Sequence, residues 1–184
     1  SLINPFKAER KPWEMFFIGF LYSSVGIFLS LIIFRDQASL IMVLLTVMAC
    51  VPVVYNTMKF EEKKDLIINK ESLLLKEHNK AIVFLMYLFI GITVSCVAWY
   101  VFMPTATINI LFDKQTQTIQ AINNLVSGAV SQQFSFFLKI FLNNIKVLSF
   151  AVLFAFIYGA GAIFILTWNA AIAGIAMGMF SKSV

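Results

Sequence analysis

Long apolar stretches broken by short polar ones dominate the chain. Residues 15–34 are uncharged and end at Arg35-Asp36. Residues 38–58 are again uncharged, so only Arg35, Asp36 and Gln37 separate two runs of membrane-spanning length. A helix needs about 20 apolar residues to cross a hydrocarbon core of about 30 Å. The pattern therefore predicts an antiparallel pair of spans over 15–58, with Pro52 expected to kink the second. A third span is predicted over 81–103, stopped by Pro104.

The polar stretches differ in kind. Segment 1–14 is basic, with Pro5, Pro12 and the interfacial aromatics Phe6 and Trp13. Segment 59–80 is the most charged, with six Lys and five acids. Its Phe60, Ile67 and Leu74 recur every seven residues, which fits an amphipathic helical hairpin turning near Asn69, or helical extensions of spans two and three. Segment 104–146 is polar and then amphipathic. Within it Asp113 is expected to cap a short helix, Ile119, Ile122 and Leu125 to line one face, and Gly128 to end it. Residues 134–146 alternate Phe and Leu with Lys139, Asn143, Asn144 and Lys146.

The last apolar run, 147–180, is 34 residues long, about 50 Å as one helix. It is too long for one crossing and too short for two. Segment 147–184 is therefore expected to hold a span from about 146 to 168, a break at Trp168-Asn169 and a short helix over 170–181. The alternative is that 170–184 begins a further span. Unpaired amide groups in hydrocarbon cost several kcal/mol, so Asn169 is expected to meet protein, water or freed backbone. Asn143, Asn144 and Asn169 are the candidate polar membrane site.

Small residues recur every four positions at Ala151, Ala155 and Gly159, and again at Ala170, Gly174 and Gly178, with Gly161 between the two sets. Such stripes allow close helix approach. They mark either packing within one subunit or a homodimer seam, and a homo-oligomer, a dimer by preference, is expected from them.

Composition sharpens the class. Hydrophobic residues make up 60% of the chain and charged residues 12%, against about 25% charged in soluble domains. The expected fold is an all-α polytopic bundle in one membrane domain. It has four to five membrane helices, counting a half-span or re-entrant segment, and a cytoplasmic helical hairpin extension. The net charge of +5 does not point to nucleic acid, because the cations flank apolar runs as topology signals do. Nine of the fourteen Lys and Arg fall in 1–14 and 59–80, and Lys182 joins them if a fourth span returns the chain. The expected location is the cell membrane, with the N-terminus and 59–80 cytoplasmic. Cys50 and Cys96 sit in different spans and read as small packing residues.

The chemistry of catalysis is missing from the pattern. There is no phosphate-binding glycine loop, no HExxH, no CxxC pair and no nucleophile elbow. No Asp, Glu, Lys, Arg or His lies inside spans one to three or inside 147–180, which argues against a proton relay or an ion-coupled pump. Glu61, Glu62, Glu77 and His78 approach one another only if 59–80 folds as a hairpin. They read first as a solvated charged surface. No cofactor, metal or catalytic residue is expected, and the chain is expected not to be an enzyme.

The C-terminal block "FLNNIKVLSFAVLFAFIYGAGAIFILTWNAAIAG" resembles the stage II sporulation protein M family of multi-pass membrane proteins. The resemblance rests on the Asn143-Asn144 pair, the glycines 159 and 161, and Asn169 followed by small residues. The front half is similar to archaeal-type members in "NPFKAERKP", in "KFEEKKD" with Glu61-Glu62, and in His78 before span three. Two positions depart from the family pattern. Ala170 stands where many relatives have Gly, and relatives usually continue into another span, which favours a truncated C-terminus here. The resemblance implies a membrane scaffold, since the sporulation member works with cell-wall hydrolases. The expected function is thus a non-enzymatic scaffold in the lipid bilayer that recruits partner proteins at 59–80 or 104–133. The alternative is a passive channel, transporter or lipid-handling protein with a polar site at a broken helix near Asn169.

Overall fold

A computed structural model of the chain describes residues 11–65, 71–128 and 160–183. Those residues form six α-helices and no strands. Helix α1 spans Glu14–Ile33. It stops where Phe34 leaves helical geometry at φ −128°, its N–H still reaching the Ser30 carbonyl at 2.9 Å. A single 3₁₀ turn, Arg35–Gln37, reverses the chain. Helix α2 then runs Ala38–Asp65 and helix α3 Glu71–Phe102. Pro104, at φ −61° and ψ 147°, separates α3 from the short helix α4, Thr105–Leu111. Helix α5, Asp113–Gly128, and helix α6, Gly161–Ser183, complete the set.

Four of these helices are long and apolar enough to cross a membrane, over Glu14–Ile33, Arg35–Thr57, Ile82–Phe102 and Gly161–Lys182. Helices α2 and α3, at 28 and 32 residues, exceed what a hydrocarbon core of about 30 Å requires. Their surplus turns carry the charged residues after position 58 and before position 81. Of the two arrangements expected for 59–80, helical extensions of the spans are what form on either side of 66–70; the turn expected near Asn69 lies outside the described residues.

Two close approaches fix how the helices run. In α1 and α3, Gly19 meets the Leu88 carbonyl and Gly91 meets the Phe16 backbone. A Cβ on Gly19 would stand 2.6 Å from that carbonyl, so only glycine lets the backbones meet there. Further along, Ser24 faces Ser95, and the Phe28 and Trp99 rings stack edge to face at 4.6 Å. The two helices are therefore parallel. Helix α6 is parallel to α3 as well. Its Gly174 lies against Thr93 and Cys96, its Gly178 against the Tyr100 ring, and Lys182 Nζ reaches the Met103 carbonyl at 3.1 Å. The core between them is built from Met15, Ile27, Met42, Phe84, Leu88, Ile92 and Ile175, all at most 2% exposed.

Three sequence expectations change. The break at Trp168-Asn169 does not occur: α6 is continuous from Gly161 to Ser183. The Asn169 amide donates to the Ile165 carbonyl one turn back at 2.9 Å, so the side chain bonds to its own helix instead of interrupting it. Helix α6 begins at Gly161, so 170–181 is the second half of a full span, and the part of the expected span before residue 160 lies outside the described residues. Lastly, Lys182 lies at the end of the bundle that holds Met103, not at the end holding Asn79. The glycine face of α6 fits the Thr93–Tyr100 stretch of α3 in parallel register, and Lys182 finds an orphan C-terminal carbonyl and the Tyr100 ring, 5.6 Å from its centroid.

Candidate functional site

The polar groups of the spans are mostly consumed by the fold. Thr46, Thr57 and Thr93 each donate to the carbonyl four residues back, and Ser30 to that of Ile27. At mid-bundle Ser24 Oγ lies 3.1 Å from Ser95 Oγ and accepts the Trp99 Nε1–H at 2.9 Å. Ser23 Oγ is 3.8 Å from Cys96 Sγ. These contacts tie α1 to α3 where the dielectric is lowest and unmet polar atoms cost most. Among the described residues, Thr167 Oγ1 is the buried side-chain oxygen that finds no partner. Cys50 and Cys96 are free and buried.

Of the candidate polar membrane site, Asn169 is exposed on α6, while Asn143 and Asn144 lie outside the described residues. Ala151, Ala155 and Gly159 also lie outside them. Ala170, Gly174 and Gly178 are buried inside the subunit, the two glycines against α3, and Gly161 is buried as the first residue of α6. The second of the two small-residue stripes, Ala170, Gly174 and Gly178, is thus packed within the subunit. Glu61 and Glu62 fall on α2 and Glu77 and His78 on α3, with their side chains outside the described residues. Among the described residues no group of His, Cys, Asp and Glu is placed to hold a metal.

A built polar site stands instead at the end of the bundle formed by the 3₁₀ turn, α4 and the start of α5. Ser39, 5% exposed in the first turn of α2, is its pivot. The Ser39 hydroxyl donates to Gln115 Oε1 at 2.7 Å and accepts the Lys114 backbone N–H at 2.9 Å. The Ser39 carbonyl accepts Gln115 Nε2–H at 3.1 Å. Gln115 is completely buried. Ser39 therefore serves an orphan N–H of α5 from another helix. This corrects the capping role expected of Asp113. Asp113 is the first residue of α5, and its carboxylate accepts Gln117 Nε2 at 2.9 and 3.0 Å and pairs with Lys114 Nζ at 3.2 Å. The expected apolar face of α5 is also only partly used: Ile119 packs on the core and Ile122 is 46% exposed. The Leu125 side chain lies outside the described residues, and Gly128 is the last residue of the helix.

Beside this clamp is an open cleft of about 390 Å³, bordered by Arg35, Asp36, Asn109, Asp113 and Lys114. The outward side of α5 shows Lys114, Gln117, Gln120 and Asn124 to solvent. Sequence reading missed Ser39, Trp99 and Gln115. Nothing in "DKQTQTIQ" separates the buried Gln115 from the exposed Gln117 and Gln120, because all three sit in one polar run.

Fold and polar inventory together define a multi-span all-α membrane bundle whose exposed chemistry is concentrated at its ends. Comparison of the chain with family models, with curated proteins and with solved structures gives no match.

Proposed function

We propose that the protein is a non-enzymatic membrane scaffold of the kind implied by its resemblance to the stage II sporulation protein M family, with the N-terminus and 59–80 on the cytoplasmic side of the cell membrane. The observation that carries the reading is the mounting of α5. A polar helix of 16 residues is pinned to the end of a glycine-packed bundle by Ser39 and Gln115, with Gln117, Gln120 and Asn124 turned to solvent. A rigidly held polar helix at a membrane surface is suited to docking a partner protein, since little ordering cost remains on its own side. The spans support the same reading. Most of their serine and threonine hydroxyls among the described residues are spent on the fold, and α6 is unbroken at Asn169, so the feature that motivated a polar pathway is not there.

Photo-crosslinkers placed singly at Gln117, Gln120 and Asn124 in native membranes test it. A discrete protein adduct shared by these positions, and missing from a lipid-facing position such as Met86, is the expected outcome. Adducts to lipid alone from every α5 position would refute the docking role.

A further inference from the structure

We propose that the cleft between the 3₁₀ turn and α5 binds the headgroup of a membrane lipid carrying both a phosphate and an ammonium group. Three observations converge. First, the site adjoins the ends of two candidate spans, Glu14–Ile33 and Arg35–Thr57. Ile32, Ile33, Phe34 and Leu40, directly beside the turn, are exposed apolar side chains, Ile32 at 77%, so acyl chains reach the mouth of the cleft. Second, the cleft offers one available charge of each sign. Among the described residues, the Arg35 guanidinium and the Asp36 carboxylate have no ion-pair or hydrogen-bond partner, whereas Asp113 and Lys114 neutralise each other at 3.2 Å. Third, the Ser39–Gln115 clamp fixes the wall of the cleft between α2 and α5.

The chemistry of these groups selects the ligand. A guanidinium presents paired donors that match two phosphate oxygens. Asp36, next in the chain, accepts from an ammonium and disfavours a headgroup that is anionic throughout. Asn109 adds a neutral polar group on the α4 side. A headgroup with a phosphate and a terminal amine satisfies both charges at once, and its acyl chains lie along Ile32 and Ile33. This inference is independent of what α5 recruits.

The test uses the full chain in detergent, titrated with phosphoethanolamine, phosphocholine and phosphoglycerol lipids of equal acyl length and read by native mass spectrometry. The wild type is expected to retain the phosphoethanolamine lipid over the phosphoglycerol lipid. Arg35→Gln should weaken retention of the phosphoethanolamine lipid about tenfold, the scale of one charge-assisted contact. Asp36→Asn should remove the preference for the amine-bearing headgroup. Lys11→Gln, near the opposite end of the bundle, should change neither. Both cleft side chains are exposed, and an unchanged unfolding midpoint shows that the variants fold. Equal retention of all three lipids by the wild type, or no response to Arg35→Gln, overturns the proposal. So does binding of soluble phosphoethanolamine as tightly as the whole lipid, which would make the source a water-soluble zwitterion.

Discussion

Gly91 and Asn169 are both residues that a sequence reader notices, and their structural weight is opposite. Gly91 lies where the α1 backbone at Phe16 comes so close that a methyl group has no room. The atoms in the way are backbone, which cannot swing aside as a side-chain tip can. Among the described residues, Asn169 bonds only to its own helix, and it is exposed. Gly91→Ala is therefore expected to cost about 1–3 kcal/mol as overpacking. Asn169→Leu should stay within about 0.5 kcal/mol, as for an exposed substitution. Thermal unfolding of the purified protein followed by circular dichroism compares them directly. A loss at Asn169→Leu equal to that at Gly91→Ala would show the amide to be a structural contact. The sequence singled out Asn169 on sound grounds, since amides are costly in hydrocarbon. The one-turn bond to Ile165 depends on a rotamer, which spacing does not reveal.

At the scale of elements, charges and prolines made most helix ends legible. Arg35-Asp36 closes α1, Pro104 closes α3, and the three-residue link forces α1 and α2 into a hairpin. Where these markers are missing, the boundary was illegible. Nothing charged lies between 147 and 180, so no charge marks the start of α6 at Gly161, and the expected break falls on Asn169, the one amide in that run. The same limit applies to α4, a seven-residue helix held by packing of Ile108 and Leu111 more than by its own sequence. How α5 is held is a tertiary matter too, and it gives a sharp expectation. Ser39→Ala removes the hydroxyl that serves both Gln115 and the Lys114 N–H, leaving a buried amide short of a partner at a cost of about 1–3 kcal/mol. Hydrogen exchange of the first-turn amides of α5 should speed up, while those of α3 keep their protection. Combining Ser39→Ala with Gln115→Leu should cost less than the sum of the two single changes, because the second removes the group that the first strands. Strict additivity would show that Ser39 and Gln115 do not act as a unit.

For the whole molecule, the order of the spans follows from the parallel register of α1, α3 and α6. Met103, Lys182, the 3₁₀ turn and the start of α5 share one end, and Asn79 stands at the other. The charge count places Lys182 at the Asn79 end only if a fourth span returns the chain, because one lysine after an apolar run is compatible with either direction. The assignment has a direct check. The two native cysteines are buried, so a membrane-impermeant maleimide reads only introduced ones. Asp36→Cys, Gln117→Cys and Ser181→Cys, all at exposed positions, should be labelled from the same side of sealed, right-side-out vesicles, and Asn79→Cys only after the membrane is opened. That second half follows from the excess of Lys and Arg in 1–14 and 59–80 and is separable from the first. If all four positions exchange sides together, the orientation is inverted and the fold stands. If Ser181→Cys is labelled with Asn79→Cys and apart from Asp36→Cys, α6 is antiparallel to α3, and the contacts of Gly174 and Gly178 with Thr93, Cys96 and Tyr100 are wrong with it.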